Sequence, residues 1–125
     1  MSESVEKVDT TDLISEDQRN AKGLVCPRCD SKILPSNKGA FKDDMEKELH
    51  VIHKKQEDAG ILKEKLSQFF VIEDMMEFDN IGFTKSTDND TIKYLICADC
   101  DVGPIGWHCV SSKVNYVALA RVKHK

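Results

Sequence analysis

Two widely spaced Cys-x-x-Cys pairs are the residues of this chain whose types and spacing could do chemistry. The pairs occupy Cys26–Cys29 (CPRC) and Cys97–Cys100 (CADC). Each pair can present two thiolates from one tight turn, and four thiolates make the closed tetrahedral site that is typical of structural zinc. Such an ion would join the two ends of one domain. We therefore expect one structural zinc ion on four ligands, which are Cys26, Cys29, Cys97 and Cys100.

Two other uses of these cysteines fit the sequence less well. A thioredoxin-type redox pair normally opens a helix inside a βαβ unit, and neither pair has that context. A catalytic zinc site keeps an open coordination position and usually includes His or Glu, whereas four thiolates close the site. The metal is therefore expected to hold the fold and to perform no reaction.

The fifth cysteine, Cys109, follows His108 directly, which raises the possibility of a nucleophile with its base. Adjacent residues on a strand point to opposite faces, so a direct contact between this thiol and this imidazole is geometrically awkward. The sequence favours a buried thiol beside a surface histidine.

Bulk properties limit the class of protein. The chain has 125 residues and a net charge of −4, which suits one domain and makes a general nucleic-acid binder unexpected. Its first residues are acidic and lack the apolar region of a signal peptide, and no segment has the length and hydrophobicity of a membrane span. Metal-binding cysteines without a secretory signal fit a reducing compartment, so we expect a cytoplasmic protein.

The elements that must position the cysteines are short strands. Residues 1–20 are acidic and poor in apolar side chains, which predicts a disordered tail before a domain at 21–125. Phe41, Met45, Leu49 and Ile52 have the spacing of an amphipathic helix, which predicts partial helix within residues 38–66, although Leu49–Ile52 could equally be strand. The strand predictions are Phe69–Ile72, Phe78–Phe83, Ile92–Ile96, Trp107–Val110 and Tyr116–Val122. The fold class is therefore mostly β: a small, zinc-stapled single domain.

One segment, Glu73–Asp79 (EDMMEFD), alternates acids with large flexible apolar residues. As a strand it would put acids on both faces, so it fits a simple core strand poorly. Methionine adapts its shape to a partner and carboxylates add specificity, so a protein-binding surface fits the pattern as well as a core strand with water-facing acids does. Residues 71–101 also hold eight acids against two bases, which favours a partner with a basic patch.

The second half of the chain resembles a known family. The strings VIEDM (71–75), NIGFTK (80–85), LICADCDVGPIGWHC (95–109) and YVAL (116–119) are similar to the Rab-interacting factors, the zinc-binding suppressors of Sec-four defects. The first cysteine pair, within 24–34, also matches. The likeness covers residues 20–36 and 69–124. It does not extend to residues 37–68, which the resemblance implies to be a variable insertion, partly helical or mobile.

This resemblance implies a β-tent fold with one zinc ion on four cysteines. It also implies a cytoplasmic monomer that binds exocytic Rab-type GTPases one to one, releases their GDP or GTP and holds the nucleotide-free form. Such a protein would reach membranes only through the GTPase. By position, the Rab-facing residues would be Glu73, Asp74, Met75, Met76, Phe78 and Asp99. Two alternatives remain: a zinc-ribbon adaptor without exchange activity, and an enzyme like the type B methionine sulfoxide reductases.

Overall fold

The fold is given by a computed structural model, which describes residues 12–44, 46–50, 53–54, 63–83, 92–100 and 102–125. Within these ranges the protein is almost entirely strand and turn, with two three-residue 3₁₀ turns at Met75–Glu77 and Leu119–Arg121. The prediction of a small, mostly β domain is confirmed. No helix in the described part of the chain is long and apolar enough to cross a membrane.

Thirteen short strands make up the described part of the fold. They are β1 Leu24–Val25, β2 Lys32–Leu34, β3 Ala40–Lys42, β4 Lys47–His50, β5 His53–Lys54, β6 Lys63–Leu66, β7 Phe69–Ile72, β8 Gly82–Phe83, β9 Ile92–Ile96, β10 Val102–Gly103, β11 Gly106–Cys109, β12 Val114–Ala118 and β13 Lys123–His124.

A six-stranded antiparallel sheet forms the centre, in the order β3-β7-β12-β11-β9-β8. The predicted strands at 69–72 and 92–96 are present, and the one at 107–110 is present as Gly106–Cys109. The one predicted at 116–122 was wrong over most of its length, because the strand ends at Ala118 and Leu119–Arg121 form a 3₁₀ turn. The predicted strand at 78–83 was wrong over most of its length, because only Gly82–Phe83 pairs with β9. The chain before it forms a 3₁₀ turn at Met75–Glu77 instead of a strand. The acids of this segment therefore need not alternate with side chains that face the core.

The central sheet buries both of its faces. On β7, Phe70 and Ile72 belong to a large core that also includes side chains of β1 and β2. Phe69 points the other way, into a smaller cluster with Trp107. This alternation follows the two-residue period of a strand, and it places the large core between the six-stranded sheet and a three-stranded sheet of order β13-β1-β2.

The insertion at 37–68 is made of strands in its described residues, so the prediction of partial helix was wrong there. Phe41 lies on β3, where it pairs with Phe70 of β7, and the two rings meet edge to face at 6.2 Å between centroids. Strands β4 and β6 form a two-stranded antiparallel sheet whose end at Lys47 and Leu66 covers the smaller cluster: Leu66 is buried there, and Lys47 Nζ lies 4.8 Å from the centroid of the Trp107 ring. Although Phe41 belongs to a helical spacing of apolar residues, its pairing with β7 makes this part of the chain a strand. Residues 51–52 and 55–62 lie outside the described part.

Leu13, Ile14 and Asn20, which lie within the residues predicted as a tail, pack against the domain. Asn20 is completely buried, and its side chain bonds only to backbone. Its amide nitrogen donates to the carbonyls of Lys22 and Pro35, both at 2.9 Å, and its oxygen accepts from the N–H groups of Lys38 (2.9 Å) and Gly39 (2.7 Å). All four hydrogen-bonding groups of this buried asparagine are paired, and these bonds order the chain here in spite of its polar composition. Residues 1–11 lie outside the described part.

Replacement of Asn20 by alanine is expected to lower the free energy of unfolding by about 3 kcal/mol, because four backbone groups would lose their partner in a hydrogen-bond network that is buried at Gly39 and part-buried elsewhere. Urea denaturation checks this value. The matched control is Ser36→Ala in the adjacent turn, an exposed position where little change is expected. An Asn20→Ala variant as stable as the control would show that water replaces the lost hydrogen bonds.

His124 on β13 predicts a pH dependence of stability. Burial lowers the pKa of His124, and the hydrogen bond between its Nε2 and the Leu119 carbonyl, at 3.0 Å, partly opposes this. Below the unfolded-state pKa of about 6.5, His124 binds a proton more readily in the unfolded chain than in the folded one. The free energy of unfolding therefore decreases as the pH falls through this range. Urea denaturation at about pH 7.5 and about pH 5.5 should show a larger loss for the natural protein than for His124→Gln. Equal losses in the two proteins would contradict the prediction.

Candidate metal centre and partner surface

The first cysteine turn lies between β1 and β2. The backbone N–H of Cys26 donates to the Ser31 carbonyl at 2.9 Å, and the N–H of Asp30 donates to the Cys26 carbonyl at 3.1 Å, which closes the turn. Inside it, the N–H groups of Arg28 and Cys29 point at Cys26 Sγ, at 3.3 and 3.5 Å. A turn that aims two N–H groups at a sulfur stabilises that sulfur as a thiolate, the form that binds metal.

The second cysteine turn follows β9, and it meets the first across the edge of the core. All four Sγ atoms lie within 4.8 Å of one another. Cys26 Sγ is 3.5 Å from Cys100 Sγ, and Cys29 Sγ is 3.6 Å from Cys97 Sγ. A tetrahedral ion with metal–sulfur bonds of about 2.3 Å needs sulfurs about 3.8 Å apart, and the two shortest separations lie slightly below that value. The four thiols are unbridged, and together they fit a zinc ion.

The two turns expose their cysteines unequally. Cys26 and Cys97 are buried, whereas Cys29 is exposed. Hydrogen bonds with the side chain and backbone of Ser31 lower the pKa of Cys29 to about 6, whereas burial raises the pKa of Cys26. A metal at this position would therefore be reached from the Cys29 side.

Ser31 also joins the two turns directly, because its hydroxyl donates to Asp99 Oδ2 at 2.5 Å. Beside this contact lies an open groove of about 840 Å³. Met75 and Phe78 line the groove together with Ala98 and Asp99 of the second cysteine turn. Three of the six predicted partner-binding residues, Met75, Phe78 and Asp99, therefore share one surface next to the cysteine cluster.

The remaining three predicted partner residues, Glu73, Asp74 and Met76, lie on the 3₁₀ turn Met75–Glu77 or directly before it. Asp74 begins it, with Oδ1 accepting a hydrogen bond from the Met76 N–H at 2.9 Å. Glu73 is exposed beside it. Met75 and Met76 are 49% and 83% exposed, and they are the large hydrophobic residues with exposed side chains in the described part of the chain. We call the residues 73–78 and Asp99 the partner surface, and their binding role stays a prediction.

Three residues that sequence reasoning did not single out hold this surface in place. Lys38 forms an ion pair with Glu77 at 3.2 Å. Ser31 fixes Asp99, as described above. Asn80 bonds to the second cysteine turn through both ends of its side chain. Polar residues between structural segments carry no spacing signal, so their partners become visible only in the fold.

The Cys109–His108 pair does not form. The His108 ring nitrogen Nδ1 lies 2.8 Å from Asn115 Oδ1, on the sheet face opposite to Cys109. Cys109 is half-buried, not fully buried as expected, and hydrogen bonds to the side chains of Ser111 and Ser112 lower its pKa to about 7. In the described structure this thiol therefore has serine neighbours and no imidazole base.

Fold and site together define a mostly β domain clasped by a four-cysteine cluster, with an exposed apolar turn beside the cluster. The model of the family described as Mss4 protein matches residues 19–124. The chain belongs to this family, and the resemblance stated from its sequence is confirmed.

Curated relatives carry names that agree with this assignment. A Drosophila melanogaster protein named guanine nucleotide exchange factor MSS4 homolog is 34% identical over 122 residues, which is 96% of this chain and 97% of the relative. A Schizosaccharomyces pombe protein of the same name is 32% identical over 98 residues, covering 77% of this chain and 88% of the relative. Protein DSS4 of Saccharomyces cerevisiae is 33% identical across a region covering 34% of this chain and 47% of that protein.

Proposed function

We propose that this protein binds Rab-type GTPases of exocytic traffic, promotes release of their bound GDP or GTP and stabilises the nucleotide-free form. The observation that carries the proposal is the exposure of Met75 and Met76 on a capped turn beside the cysteine cluster. Neighbouring large apolar side chains exposed on a fixed turn and rimmed by carboxylates are typical of a protein-binding surface. Family membership and the names of the relatives support a GTPase as that partner.

The cofactor of this function is one structural zinc ion bound by four ligands, Cys26, Cys29, Cys97 and Cys100. When bound, the ion supplies no reaction and joins the two cysteine turns into one rigid base. The thiolates and their hydrogen bonds keep the partner surface in a single arrangement before any partner arrives.

Nucleotide release requires no bond to break in the protein or in the GTPase. The protein must bind the empty GTPase more tightly than the loaded one, and linkage then weakens the nucleotide by the same factor. Each tenfold weakening requires about 1.4 kcal/mol of that difference. Met75, Met76 and Phe78 dock on the switch region and draw it away from the nucleotide, while the carboxylates of Glu73 and Asp74 pair with basic groups of the GTPase.

The protein acts in the cytoplasm as a monomer, forms a one-to-one complex and approaches membranes only through its GTPase. It needs no catalytic residue for this role. An adaptor would bind the same GTPase without changing nucleotide release, and a sulfoxide reductase would act through Cys109 without any GTPase.

The test is release of a fluorescent GDP analogue from a panel of exocytic Rab GTPases, followed by size-exclusion chromatography. The expected result is faster release by at least one GTPase, with a nucleotide-free one-to-one complex in the eluate. Binding without faster release would overturn the proposal in favour of an adaptor. Neither binding nor release with any GTPase, together with reduction of methionine sulfoxide that Cys109→Ser abolishes, would replace it with the enzyme.

A further inference from the structure

Asn80 lies between the partner surface and the metal centre, and its side chain bonds to the second cysteine turn twice. Oδ1 accepts a hydrogen bond from the backbone N–H of Ala98 at 3.1 Å. Nδ2 is 3.5 Å from Cys97 Sγ. Because the Ala98 N–H can only donate, it must face the amide oxygen, and this fixes the NH₂ group toward the sulfur.

The backbone of residues 79–80 is hydrogen-bonded to β2, the strand that follows the first cysteine turn. The N–H groups of Asp79 and Asn80 both point at the Ile33 carbonyl of β2, at 2.8 and 3.4 Å. Phe78, which ends the 3₁₀ turn, precedes these two residues directly. The exposed methionines are therefore connected to both cysteine turns through residues 78–80.

We propose that Asn80 is a positioning residue that couples the metal centre to the partner surface. Its amide N–H groups stabilise the Cys97 thiolate, which is buried and has lost its contact with water. An N–H donated to a metal-bound thiolate spreads the negative charge of the cluster and tightens the metal. The same amide fixes the C-terminal end of the 3₁₀ turn, so occupancy of the metal site and the orientation of Met75 and Phe78 depend on one side chain.

The effect of Asn80 on metal affinity is independent of the proposed function, whereas its effect on nucleotide release rests on that function. Reciprocity follows from the coupling: a partner that orders residues 73–80 should slow loss of the metal, and loss of the metal should weaken the partner. A side chain that served only to fill space would produce neither effect.

The direct test uses the natural protein loaded with ¹¹³Cd in place of zinc. The expected result is a scalar coupling between ¹¹³Cd and an Asn80 Nδ2 proton, transmitted through the N–H···S hydrogen bond and the sulfur. This measurement needs no variant, so it does not depend on a substituted chain folding. Absence of the coupling, with the four Cys–Cd couplings present, would overturn the proposal.

Two substitutions separate the roles of the amide. Asn80→Asp keeps an oxygen for the Ala98 N–H but removes the donor to Cys97, whereas Asn80→Ala removes both. In competition with a chromophoric chelator, both are expected to bind metal about 10- to 100-fold more weakly than the natural protein. The matched control is Lys38→Ala, which breaks the ion pair to Glu77 and leaves the amide in place, and its metal affinity should be unchanged. An Asn80→Ala variant that held metal as tightly as this control would overturn the proposal.

Nucleotide release then tests the coupling at full metal occupancy. With zinc-saturated Asn80→Ala, the GTPase is expected to release the GDP analogue several-fold more slowly than with zinc-saturated Asn80→Asp. The reason is that only the alanine variant loses the hydrogen bond to the Ala98 N–H. Equal rates for these two variants and the natural protein would overturn the coupling. If the natural protein itself does not accelerate nucleotide release by any GTPase, the proposed function fails. The ¹¹³Cd coupling and the metal affinities still decide whether Asn80 supports the metal centre.

Discussion

Serine in place of Cys97 is expected to remove the metal and unfold the domain, whereas serine in place of Cys109 should do neither. Cys97 is completely buried in the large core, and its sulfur is within reach of the other three cysteines. A structural zinc site contributes folding free energy of about 10–16 kcal/mol in zinc-finger peptides. This exceeds or equals the whole stability of a typical domain, which is about 5–15 kcal/mol.

The measurements are metal content per chain and thermal unfolding followed by circular dichroism. Natural protein and Cys109→Ser should both hold one zinc ion and melt at similar temperatures, and a strong chelator should unfold both reversibly. Cys97→Ser should hold none and show no cooperative transition. One zinc ion per chain in the Cys97→Ser variant, with an unchanged melting temperature, would mean that the cluster does not hold the fold together.

The cysteine cluster and the strands of the central sheet were predictable because their signals are local. A Cys-x-x-Cys pair places two sulfurs from one turn, so only the meeting of the two turns depends on the fold. The alternation of Ile92, Tyr94 and Ile96 likewise reports directly which residues share a face of β9. In both cases the residue spacing carries the geometry.

The errors concern residues whose surroundings are set by distant parts of the chain. Phe41 fits a helical spacing, but its pairing with Phe70 across two strands decides its structure. Asn20 lies in a polar segment, and only the fold brings Pro35 and Gly39 to its amide. Asn80 has the same character: a single polar residue whose two partners are 17 and 18 positions away.

The partner surface was predictable in composition but not in shape. An alternation of acids and methionines indicated binding, and a strand was expected from Phe78 onward. The structure instead caps a 3₁₀ turn with Asp74 and exposes both Met75 and Met76. The carboxylate at the start of the turn therefore has a structural use in the free protein, in addition to the proposed use against a basic partner.

A chain that carries Asp74→Ala together with Met75→Ala is expected to lose the complex with the nucleotide-free GTPase. The first substitution uncaps the turn, which costs about 1 kcal/mol by analogy with helix caps. The second removes an apolar side chain from the groove, and truncation of a central interface residue costs about 2 kcal/mol. Together they amount to about 3 kcal/mol, or on the order of a 100-fold weaker affinity.

The comparison is made by size-exclusion capture of the empty GTPase and by release of the GDP analogue. Metal content should match the natural protein, and the melting temperature should fall by no more than about 5 °C, because both side chains are exposed and the lost cap costs only about 1 kcal/mol. Ser112→Ala, an exposed change in the turn between β11 and β12, is the control expected to retain full capture. Capture by the double variant at the natural level would place the GTPase on another surface.

Asp74→Asn separates the two uses of the carboxylate. Asparagine keeps an oxygen that can accept from the Met76 N–H, so the turn stays capped, but it has no charge for a basic partner. If charge pairing dominates, Asp74→Asn should weaken capture nearly as much as Asp74→Ala, and the loss should shrink at high salt. If the cap dominates, Asp74→Asn should capture the GTPase almost normally at any salt concentration, which would make Asp74 a residue that presents the methionines to the partner.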